Sequence, residues 1–132
     1  MAATVVDAGV LIGYLEAADA HHDRAVAALA AAEKRGDTFA TPTSVYAELL
    51  VGPFRAGSAA VAKVEMVLRD FAVELVPLTS AIARQAAHLR AQHRSLRLPD
   101  AIVLATADAL GAVRILTTDD AWRRFSKRAE IV

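Results

Sequence analysis

Short β-branched apolar runs alternate along this chain with longer segments that are apolar at every third or fourth position. The first run, Thr4-Val5-Val6, predicts a buried strand that ends at Asp7, with Asp7-Ala8-Gly9 as the turn out of it. Val10 to Leu15 predicts a short helix, Ala17 to His21 a connection, and Asp23 to Arg35 an Ala-rich helix with Val26 and Leu29 on one face, stopped by Gly36. Thr38 to Thr41 predicts the second strand. Thr41-Pro42-Thr43-Ser44 opens the next helix with hydroxyls available as caps, and Gly52-Pro53 marks its expected end. A loop with Gly57 and Ser58 leads to a helix over Ala59 to Phe71. Val73 to Pro77 alternates as a third strand, and Thr79 or Ser80 caps a long helix to about His93. Leu98 to Ala107 is apolar nearly all the way round, which predicts a buried helix, with Pro99 in its first turn and Gly111 at its end. Val113 to Thr117 is the fourth strand, Asp119 or Asp120 opens a helix through Phe125, and Glu130-Ile131-Val132 is a last strand.

Strands alternating with helices across short turns predict an α/β fold. Its sheet is central and mostly parallel, with 4–5 strands and helices on both faces, so that three layers stack α/β/α. Functional sites in such folds form at the carboxyl ends of the strands. The length of 132 residues suits one domain, residues 1–132, and the 55% hydrophobic content is too high for a disordered chain. The absence of cysteine excludes disulfides, thiolate metal sites and a Cys nucleophile. No apolar run approaches the ~20 residues of a membrane span. The start has no basic segment and its apolar run breaks at Asp7, so a cytoplasmic protein without a signal peptide is expected. Net charge is zero but unevenly spread: residues 1–83 hold 6 basic and 10 acidic side chains, residues 84–132 hold 9 and 5. The basic half, with Arg84, Arg90, Arg94 and Arg97, suits either a polyanion or a solvated helix face.

Four acids stand out against this pattern. Asp7 follows the first strand and Asp119 the fourth, each where a side chain projects from a strand's carboxyl end. Glu48 lies in the apolar segment Val45 to Val51 with no Lys or Arg within four residues, and Asp100 heads the apolar helix with only Arg97 nearby, ahead of the helix start. Taken singly, Asp7 is a turn residue, Asp119 a helix cap, Glu48 a solvated position and Asp100 an acid favoured by the helix dipole. Taken together, they are poorly compensated carboxylates that point towards the interior or a cleft, and their mutual repulsion must be relieved by protons or by a metal if they converge. Oxygen-only donors favour Mg2+, with Mn2+ as a substitute, over zinc. Such a centre activates water for attack on a phosphodiester.

The stretches around these acids resemble the motifs of the PIN-domain family. Val5-Val6-Asp7-Ala8-Gly9-Val10-Leu11-Ile12 is similar to its opening strand, and Tyr46-Ala47-Glu48-Leu49 to its second motif. Leu98-Pro99-Asp100-Ala101-Ile102-Val103-Leu104-Ala105-Thr106-Ala107 is similar to its third. Leu116-Thr117-Thr118-Asp119 resembles the fourth, with Trp122 at the aromatic position that often follows. The resemblance covers the whole chain, in family order, and its size is similar to that of VapC-type toxins. It implies a PIN-like fold, a Mg2+-dependent endoribonuclease acting as the toxin of a toxin–antitoxin pair, an RNA substrate, a cognate antitoxin, a homodimer and a toxin–antitoxin hetero-oligomer. It also implies catalytic roles for Asp7, Glu48, Asp100 and Asp119, with Asp7 and Asp100 holding the metal and Glu48 and Asp119 acting less directly; Asp120 is the alternative fourth acid. Many members carry Ser or Thr two residues after the first acid, where this chain has Gly9. The helical pair from Thr43 to Phe71, with Phe54 between its helices, is expected to form the antitoxin groove, receiving an amphipathic helix.

Other readings compete. A haloacid-type phosphatase needs a second Asp where Gly9 stands, and a phospho-accepting receiver needs an acidic pair and a late lysine that this chain lacks. A non-catalytic RNA- or protein-binding module would keep the acids only to close the fold. His21-His22 reads as a cap or surface pair, and the Thr117 and Thr118 hydroxyls as groups that satisfy local backbone or bind Asp119 or a phosphate.

Overall fold

The computed structural model describes residues 2–132. Five strands, β1 (Ala3–Val6), β2 (Thr38–Pro42), β3 (Glu74–Val76), β4 (Arg114–Thr117) and β5 (Ala129–Ile131), form one sheet in the order β3-β2-β1-β4-β5. Every neighbouring pair is parallel. Six helices join them: α1 (Ala8–Leu15), α2 (His22–Lys34), α3 (Thr43–Ala56), α4 (Ser58–Asp70), α5 (Ser80–Gln92) and α6 (Leu98–Leu110), and Asp120–Arg124 forms a 3₁₀ turn. This is the three-layer α/β/α arrangement that the alternating pattern predicts. The strand order reverses between β1 and β4, because the chain runs outward through β2 and β3 and then returns to the other side of β1. Such a reversal leaves a crevice at the carboxyl ends of the two strands.

The core is aliphatic. Val5, Val6, Ile115 and Leu116 of the central strands are fully buried, with Leu29 of α2, Val64 of α4 and Trp122 of the 3₁₀ turn. α6 buries Ala101, Val103, Leu104, Ala105, Thr106 and Ala107, and Gly111 closes it in the left-handed region at φ 60°. Thr79, not Ser80, caps α5, its Oγ1 accepting from the Ile82 N–H at 3.2 Å. His22 Nδ1 lies 2.8 Å from the Gly13 carbonyl, so this histidine fastens α2 to α1.

Two helix boundaries differ from expectation. α3 begins after Pro42 with no side-chain cap: the Thr41 hydroxyl donates to the Val6 carbonyl and the Ser44 Oγ is buried without a partner, so none of the three hydroxyls there does the capping. α3 also continues through Gly52-Pro53 to Ala56. A proline ring crowds the Cβ and N–H of the residue before it in a helix, and Gly52 has no Cβ to crowd. Pro53 still removes one donor, so Pro53→Ala is expected to stabilise the fold by about 1–3 kcal/mol, measured by urea unfolding. Nothing lies within 4 Å of a Cβ built at Gly52, chain neighbours aside. Gly52→Ala should therefore add its usual ~1 kcal/mol only once Pro53 is gone.

Candidate active site

Asp7 and Asp119 flank the crevice where the strand order reverses. Asp7 directly follows β1, and its N–H donates to the Leu116 carbonyl at 2.9 Å, extending the β1–β4 ladder and fixing where its side chain emerges. Thr117, the last residue of β4, is fully buried. Its Oγ1 donates to Asp7 Oδ2 at 3.1 Å and accepts from the Asp119 N–H at 3.2 Å. One hydroxyl thus ties the two acid-bearing loops together. Glu48 arrives from α3, behind β2, and Asp100 from the first turn of α6.

These groups are near enough to act on one another's charge. Asp7 is pushed from an ordinary 3.8 to about 6, first by burial and further by the carboxylates of Asp100 and Glu48, against the opposing pull of the Ala8 N–H and the Thr117 hydroxyl. Asp100 is raised by burial and by Asp119, with Arg97 working the other way. Glu48 is raised by desolvation and by Asp100, again opposed by Arg97. The four acids therefore form one electrostatic group, although each comes from a different part of the chain. Their exposure differs: Asp7 and Asp100 are half-buried, whereas Glu48 and Asp119 are exposed.

Several details depart from the sequence reading. Asp100 is not without a partner, because Arg97 is the residue that precedes α6 and its Nε lies 3.5 Å from Asp100 Oδ2. The position that placed Arg97 outside the helix is what lets its side chain turn back over the first turn. Glu48 meets the same cation in space although none lies near it in sequence. Asp119 also caps: its Oδ1 accepts from the Ala121 N–H at 2.9 Å and opens a 3₁₀ turn where an α-helix is expected. Asp120 is the first residue of that turn and is exposed. The link from Thr117 to Asp119 is one that the sequence offers, whereas its bond to Asp7 is not, since a hydroxyl at a strand end gives no signal of its distant acceptor.

Among the described residues, no three His, Cys, Asp or Glu side chains are arranged as a ready-made metal site. The donor set nevertheless fits Mg2+. That ion keeps several waters and is commonly held by only one or two carboxylates, unlike an ion enclosed in a protein cage. Three carboxylates held above their ordinary pKa partly by neighbouring acids, with one exposed arginine beside Asp100, are a site of unmet negative charge.

Beside the acids, a cleft of about 250 Å³ opens between α1, α3 and α4, lined by Ile12, Leu15, Leu49, Pro53 and Val64, with Glu48 at its wall. Phe54 is 70% exposed and lies within α3, not between the two helices. Tyr46 donates to Glu65, joining α3 to α4 behind the cleft.

A parallel sheet with acids gathered at its point of reversal defines an α/β protein with a carboxylate site. The PIN domain family model matches residues 4–128, and the chain belongs to that family. No curated protein sequence matches it. Among solved structures, it is similar to VapBC2 from Rickettsia felis bound to a DNA fragment from its promoter, with TM-score 0.79, 17% identity and 98% of each chain covered. It is similar to VapC20 of Mycobacterium tuberculosis, described as a sarcin–ricin loop cleaving toxin, with TM-score 0.75, 21% identity, and 92% of this chain and 93% of that one covered. FitAcB from Neisseria gonorrhoeae superposes with TM-score 0.71 at 20% identity, covering 98% of this chain and 96% of that one. No helix among the described residues is long and apolar enough to cross a membrane.

Proposed function

We propose that this chain is a Mg2+-dependent endoribonuclease of the VapC type, the toxin of a toxin–antitoxin pair. The observation that carries this reading is the group of coupled carboxylates beside the crevice between β1 and β4: Asp100 and Glu48 help raise Asp7 to about 6, Asp100 also raises Glu48, and Asp119 raises Asp100. Family membership and the toxin-like solved structures support it.

Asp7 and Asp100 would hold Mg2+, or Mn2+ in its place, with Glu48 and Asp119 acting less directly. When bound, the ion supplies Lewis acidity, lowering the pKa of water and offsetting phosphate charge. Thr117 orients Asp7 through its 3.1 Å hydrogen bond and, through the Asp119 N–H, fixes the loop that carries the fourth acid. The positive end of α6 steadies Asp100 as an anion. Glu48 and Asp119, both exposed, would act through water bound to the ion. Arg97 is 79% exposed beside Asp100, placed to meet an RNA phosphate.

The apolar cleft between α1, α3 and α4 suits the amphipathic helix of a cognate antitoxin, as the solved toxin–antitoxin complexes suggest. Homodimerisation and a toxin–antitoxin hetero-oligomer belong to the same reading.

The test is cleavage of total RNA with added Mg2+ by wild type and by Asp100→Asn. Cleavage is expected only from wild type, with both proteins equally folded by circular dichroism; equal cleavage by the variant would sink the proposal. A non-catalytic binding module is the reading that the missing ligand ring favours, and it predicts RNA or partner binding with no heat of Mg2+ binding.

A further inference from the structure

Gly9 lies in the first turn of α1, where glycine lowers helix propensity by about 1 kcal/mol relative to alanine. The turn needs no positive φ at this position. The reason for glycine is a neighbour: a Cβ built at Gly9 would meet Thr118 Oγ1 at 2.3 Å, with Thr118 Cβ and Cγ2 at 3.4 and 3.5 Å. A real Cβ never approaches an oxygen so closely, so any side chain at position 9 expels the Thr118 hydroxyl from where it sits. Gly9 makes the opening, and Thr118 fills it.

The filled position matters because of its surroundings. Gly9 is two residues from Asp7, and Thr118 stands between Thr117, which donates to Asp7, and Asp119. Thr118 is half-buried beside the first turn of α1, and no side-chain hydrogen bond holds its hydroxyl among the described residues. Its neighbour Thr117 spends both its donor and an acceptor position on protein groups.

We propose that Thr118 is a positioning residue for the divalent cation: its hydroxyl, admitted by Gly9, holds the hydration shell of the ion beside Asp7. This rests on the metal-dependent reading above. A hydrated Mg2+ is fixed largely through groups that bond its waters, and loss of such an outer partner typically costs about 10–100-fold in metal affinity. Thr118 follows β4 and its Oγ1 stands against the first turn of α1, a position open only while residue 9 lacks a side chain.

Mg2+ and Mn2+ affinities, measured by isothermal titration calorimetry without RNA, test this. Thr118→Ala is expected to weaken binding by about tenfold, while Thr118→Ser retains it. Gly9→Ala is expected to weaken binding equally, since its Cβ displaces the hydroxyl and supplies none. Gly9→Ser with Thr118→Ala should recover affinity to within about threefold of wild type. In that pair the new Cβ faces the residue 118 Cβ at the ordinary distance of 3.4 Å, and the serine returns a hydroxyl to the same space. Thermal melts of the metal-free variants check that folding is unchanged. Wild-type affinity in Thr118→Ala, or a double variant no tighter than Thr118→Ala, overturns the inference and leaves the nuclease reading standing. Wild-type protein that binds neither ion overturns both.

Discussion

Replacing Asp7 with Asn is expected to abolish RNA cleavage and, at the same time, to make the metal-free protein more stable. Asp7 is pushed up to about 6 by burial and by Asp100 and Glu48, so the folded state favours its neutral form. For an acid with a raised pKa, stability is highest while the group is protonated. It declines as pH rises from the unfolded value near 3.8 through about 6, and the full penalty is present above that. At pH 7.5 the native protein carries this penalty, on the order of 1–3 kcal/mol. Asn removes the charge and keeps an oxygen for the Thr117 hydroxyl, so the melting temperature should rise by roughly 3–10 °C at pH 7.5. The gain should vanish below about pH 4, where both side chains are neutral. On the proposed function activity moves the other way, because loss of a carboxylate that would hold the metal should forfeit several kcal/mol of catalysis, about 10³-fold or more. Calorimetric scans at the two pH values, run beside the cleavage assay, check both halves. A less stable Asp7→Asn at pH 7.5 would show that the carboxylate is a structural cap and not a strained site residue.

That opposition between stability and use explains which parts of the site the sequence could reveal. The alternation of β-branched runs with helical segments carries the α/β class, since burial on both faces leaves nearly continuous apolar strands. It does not carry the order β3-β2-β1-β4-β5, which depends on which side of β1 the chain returns to after α6. Asp7 and Asp100 stand out because a carboxylate in an apolar stretch conflicts with local burial, and local conflict is visible in one dimension. Glu48 stands out for the same reason, although its side chain is exposed. The links between acids are another matter. Thr117 and Asp7 are 110 residues apart, and the Gly9–Thr118 contact is as remote. Arg97 reads as lying ahead of the helix that carries Asp100, and the turn of the chain there brings its side chain to that acid. Pro53 reads as a helix stop by composition, and the missing Cβ of Gly52 relieves one of the clashes that a proline ring makes inside a helix.

Asp37 passed unnoticed in the sequence, between Gly36 and a strand, as an ordinary turn acid. Its side chain is only 3% exposed, and Asp37→Ala is expected to cost about 2–4 kcal/mol of stability. It lies at the amino end of the sheet, opposite the site. Oδ2 accepts from Thr4 Oγ1 at 3.0 Å, from Arg35 at 3.1 Å and from Arg114 at 3.0 Å. Arg114 reaches on to Glu130 at 3.4 Å, so the polar chain crosses β2, β1, β4 and β5 in their spatial order. Burial pushes the Asp37 carboxyl up, but the Thr4 hydroxyl and the Arg35 and Arg114 guanidiniums outweigh it and hold the pKa below its ordinary value. The sign is therefore opposite to that of Asp7. Its stabilisation is complete above the unfolded value near 3.8 and is lost as pH falls through the lowered folded value. Removing the carboxylate leaves the buried Thr4 hydroxyl without its acceptor and two cations without their anion. Both guanidiniums are about a third exposed and can turn to water, which sets the cost below that of a fully enclosed pair. Urea unfolding should show a lower midpoint at an unchanged slope. Mg2+ affinity of the folded variant should equal that of wild type, because the cluster and the acid group lie at opposite ends of the same strands. A loss under about 1 kcal/mol would mean that the cluster only balances its own desolvation. Two inward-facing aspartates on one sheet would then differ in what meets them, since Asp7 faces other carboxylates and Asp37 faces cations.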